Sequence, residues 1–71
     1  MTKEFEMLNL KVIALSDLVD EQPTKKNIDA LVKAMVEINI RCENSNITHA
    51  YPASHIETMR QHAKDAVDAG D

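Results

Sequence analysis

Apolar residues fall on a helical period along most of the chain. Phe5, Leu8, Val12, Leu15 and Val19 are spaced 3-4-3-4, the seam of a helix packed lengthwise on another. Leu10, Ile13 and Leu18 are expected to widen this stripe. Ile28, Leu31, Met35, Ile38 and Cys42 repeat the pattern in a second segment, with Val32, Val36 and Ile40 beside them. Ile56, Met59, Ala63 and Ala66 form a third seam of smaller residues. No two-residue alternation is sustained, so strands are not expected.

Punctuation between the seams sets the boundaries. Pro23 ends the first segment, because the residue before a proline is pushed out of the helical region. Thr24 is a suitable N-cap for the second. The run Asn44-Ser45-Asn46 is turn-forming. Ser54 and Glu57 match a capping box, in which the serine oxygen takes one orphan N–H and the glutamate reaches back to another. The pattern predicts an all-α fold: helices over about 3–20, 24–43 and 54–69, the first two an antiparallel hairpin, in one domain spanning 1–71. Residues 66–71 are expected to fray.

The second segment is the most apolar and is predicted to be central. Its charged residues Asp29, Lys33, Glu37 and Arg41 recur every fourth position, a water-facing stripe in which each acid precedes a base. The other positions need cover on more than one side. A 71-residue chain buries only about 60% of its unfolded surface and gains from external help. One cysteine makes no internal disulfide. A homo-oligomer, most simply a dimer pairing two hairpins into four helices, is therefore expected to complete the core.

Composition then narrows the function. The net charge of −4 argues against direct nucleic-acid binding, which needs a basic face. No apolar run is long enough for a membrane span and no signal-peptide pattern opens the sequence, so a cytoplasmic protein is expected.

Chemistry is concentrated in residues 44–55, NSNITHAYPASH, with His49, Tyr51 and His55 just after Cys42. A metal site would draw on Cys42, His49, His55 and His62. His55 and His62 are seven apart, about 10 Å along a helix, and do not share one ion on that helix. As a nucleophile Cys42 would need one of these histidines as base, yet it continues a buried seam, and no glycine-rich turn offers an oxyanion hole. The stretch reads as a connector: Ile47, Ala50 and Tyr51 cover the end of the helices, and His62 pairs weakly with Asp65. No catalytic residue, metal or cofactor is expected.

One local rule is broken. Lys25 and Lys26 lie in the first turn of the second helix, and Asp17, Asp20 and Glu21 near the end of the first, each opposing the helix dipole. Mutual neutralisation across the turn is the simpler expectation. The alternative is a small-anion or nucleotide site at Lys25 and Lys26.

The leading functional expectation is a non-enzymatic helical protein that binds a protein partner and regulates or inhibits it, as stand-alone chains of this size in bacteria and phages often do. Leu10, Val32, Val36, Ile40 and Tyr51 are its candidate surface. The third expectation, resting on acidic composition alone, is a mimic of nucleic acid that inhibits an enzyme.

Overall fold

In a computed structural model that describes residues 3–70, the three seams become α1 (Lys3–Glu21), α2 (Lys25–Asn44) and α3 (Ala53–Asp68), with no strand among the described residues. The helical boundaries fall within a residue or two of those predicted. Asp71, the last residue of the expected frayed end, lies outside the described residues. Before it, α3 is regular through Asp68, and Gly70 closes its last turn at φ 93°.

Three residues reverse the chain between α1 and α2. Gln22 donates its N–H to Leu18 O, and Thr24 donates to Gln22 O. The Thr24 hydroxyl then accepts the Asn27 N–H at 3.2 Å, the expected N-cap. The Asn27 side chain returns to Gln22 O at 2.8 Å, tying the turn to the first turn of α2.

α2 ends in a Schellman motif. The Asn46 N–H reaches Glu43 O, the Ile47 N–H reaches Cys42 O, and Asn46 takes the left-handed conformation at φ 58°. Asparagine tolerates this region better than other residues bearing a side chain.

All five seam residues of α2 are buried, and Ile38 is wholly inaccessible. Val32 and Ala34 of α2, Val12 of α1 and Ile56 and Ala63 of α3 complete the core, with Phe5, Leu8, Leu15, Val19, Met59 and Ala66 among the residues packed around it. Cys42 is buried among these apolar side chains, as its place in the seam predicts.

The helices lie side by side. α2 packs against both neighbours, whereas α1 and α3 do not pack on each other. The molecule measures 40 × 21 × 12 Å, and its radius of gyration of 12.8 Å exceeds the roughly 11 Å of an isometric domain of this length.

This layering corrects one sequence expectation. Leu10, Ile13 and Leu18 do not widen the buried stripe of α1; all three are exposed. A helix with a single neighbour is covered on one face only.

Candidate functional site

Asn39 is the one buried polar residue among those described, 7% exposed on an otherwise apolar face. Its amide spans the backbone of Tyr51. Nδ2 donates to Tyr51 O at 2.8 Å, and Oδ1 accepts the Tyr51 N–H at 3.1 Å. Both halves of the amide are thereby satisfied, and no buried side-chain polar atom among the described residues lacks a partner. This clamp fixes where α3 begins. Pro52 follows directly with φ −61° and ψ 150°, and its carbonyl accepts from His55 and Ile56.

The predicted capping box is therefore not formed. α3 starts at Ala53, one residue early, so Ser54 already lies inside it and caps nothing by its side chain. Its carbonyl instead accepts the Thr58 hydroxyl at 2.9 Å.

The clamp also changes the reading of residues 44–55. Tyr51 is half-buried against the core, and its ring stacks on His55 with centroids 6.4 Å apart. Ile47 and Ala50 are exposed and do not cover the helix ends as expected. His49 Nε2 lies 2.7 Å from Glu43 Oε1. His62 lies in the body of α3, and Asp65 accepts from Gln61 rather than from it. Among the described residues, no three of His, Cys, Asp and Glu are grouped to hold a metal ion.

Charges also pair differently from the sequence reading. The stripe Asp29, Lys33, Glu37 and Arg41 is exposed as predicted, but no ion pair joins Asp29 to Lys33 or Glu37 to Arg41 among the described residues. Arg41 crosses to Glu4 of α1 at 2.8 Å, because the antiparallel hairpin brings the start of α1 beside the end of α2. Lys25 pairs with Asp29 at 2.5 Å. Among the described residues no ion pair joins Lys26 to Asp17, Asp20 or Glu21, and Lys25 has a carboxylate partner along α2.

At the same end an open cleft of about 700 Å3 lies between α1 and α3, which do not pack on each other, over the start of α2. Val19, Ile28, Met59 and Ala66 form its apolar floor, and Asp20, His62 and Asp65 stand at its polar edge. Neither Lys25 nor Lys26 lines it. An acidic edge does not favour an anion, and one of the two lysines already has a carboxylate partner.

The predicted interaction surface divides. Leu10 is 65% exposed and Ile40 is exposed, Val36 and Tyr51 are half-buried, and Val32 is a core residue at 7%. Val32 is unavailable because the α2 face that carries it is covered. Met7 and Ile13 of α1, 65% and 59% exposed, belong to the apolar surface but were not among the predicted residues. The signal for Met7 was a second 3-4 spacing on α1, Met7-Leu10-Ala14, out of phase with the first; Ile13 lies outside both.

No family model, no curated protein and no solved structure matches this chain. No helix among the described residues is long and apolar enough to cross a membrane.

Proposed function

We propose that this protein acts by binding rather than by catalysis, as a small helical module that attaches to another protein and regulates or inhibits it. The observation that carries this reading is the apolar surface left uncovered by the fold. Met7, Leu10 and Ile13 project from α1, Ile40 lies near the end of α2 and Ile47 just beyond it. The Arg41–Glu4 pair places the start of α1 and the end of α2 at the same end of the molecule. These exposed apolar side chains support an interaction surface.

The small-anion reading has less support, since the concavity beside Lys25 and Lys26 is edged by Asp20 and Asp65.

The test is affinity capture from cells with the tagged chain and with Ile40→Asp and Ile47→Asp variants, followed by identification of bound proteins. A specific protein captured by the parent chain and lost from both variants is the expected result. Identical capture profiles would remove this surface from the function.

A further inference from the structure

α1 carries two seams. The inner one faces α2. On the opposite side Lys3, Met7, Leu10, Ala14, Asp17 and Glu21 follow a strict 4-3-4-3-4 spacing, and every one of them is exposed. Leu18 lies beside Asp17 and is also exposed. This outer stripe is apolar at its centre, basic at Lys3 and acidic at Asp17 and Glu21.

Its charge order is self-complementary in one orientation only. Two copies laid parallel would set Lys3 against Lys3 and Glu21 against Glu21. Two copies laid antiparallel set Lys3 of each against Glu21 of the other, twice over. The same register puts Leu10 opposite Ala14, large against small, and Met7 opposite Asp17 with Leu18 next to it. Such an arrangement has a two-fold axis and closes on itself.

We infer that the outer face of α1 is the interface for a second copy of this chain, paired antiparallel across Leu10 and Ala14. The inference rests on the reading of uncovered apolar surface as functional. It assigns α1 to self-association and leaves Ile40 and Ile47 for the other protein.

Sedimentation equilibrium of the full chain over a concentration series tests it. The parent chain is expected to reach twice the chain mass. Leu10→Asp is expected to stay at the monomer mass with unchanged helical circular dichroism. Lys3→Glu and Glu21→Lys are each expected to weaken the dimer roughly tenfold, from two ion pairs turned repulsive. Combined, they restore it. Each swap places its charge at the helix end where the dipole favours it, so neither weakens α1 itself.

A parent chain that remains monomeric at the highest attainable concentration overturns the inference. So does dimerisation that survives Leu10→Asp, or a double swap no tighter than the singles. Capture of the other protein, read with Ile40→Asp, is a separate outcome and judges the broader reading on its own.

Discussion

Replacing Asn39 with alanine removes both hydrogen bonds to Tyr51 at once. Each is worth about 1 kcal/mol net, and the half-buried peptide groups they leave unpaired add a desolvation cost, so the expected loss is about 2–3 kcal/mol. A chain of this length has roughly 4–10 kcal/mol in total. Each kcal/mol moves the midpoint of a domain this small by about 4–8 °C, so Tm should fall by roughly 8–24 °C. Thermal melting followed by circular dichroism reads this directly. Amide hydrogen exchange should place the loss unevenly. α3 presents few large side chains to α2, and its entry is held by the clamp, so its amides should lose protection before those of α1 and α2. Asn39→Asp keeps the acceptor for the Tyr51 N–H but sets a carboxylate oxygen against the Tyr51 carbonyl, and should cost at least as much as alanine. A shift below about 3 °C for Asn39→Ala, or equal loosening of all three helices, would refute the clamp as the anchor of α3.

Two further outcomes follow from the same structure. Asn46→Val should destabilise by about 1–2 kcal/mol, because a β-branched residue is strained at φ 58°, whereas Asn46→Gly should be nearly neutral; urea denaturation separates the two. Cys42 is 1% exposed, so in native protein it should react with a thiol reagent only as fast as the domain opens, and labelling at the rate of a free thiol would contradict its burial.

The features that were legible in the sequence are those set by neighbours three or four residues away. The inner seam of α1, the α2 seam with Cys42 inside it, the smaller α3 seam and the Thr24 cap all follow from local periodicity and local hydrogen bonding. What was not legible depends on residues far apart along the chain. Asn39 could be seen as a polar break in an apolar helix, but its partner lies twelve residues on, and no short-range rule selects Tyr51. Ser54 and Glu57 satisfied the capping pattern, yet the Asn39 clamp set the start of α3 one residue earlier. Arg41 had a suitable acid at Glu37 and took Glu4 instead, once the hairpin brought that carboxylate within reach. The exposed side of α1 was misread because periodicity reports how many apolar faces a helix has, not how many neighbours arrive to cover them. The candidate surface inherited that error at Val32 and at Met7.

Because α1 and α3 each pack on α2 and not on each other, every helix pairing joins elements consecutive in the chain. Such topologies close only short loops before native contacts reward them, which places folding in the microsecond-to-millisecond range. During synthesis the α1–α2 hairpin can pair once Asn44 has emerged, while the Asn39 amide and the α2 face that meets α3 wait for the third helix. The third helix then adds on as a late step, guided to its place by one asparagine already held in the finished hairpin.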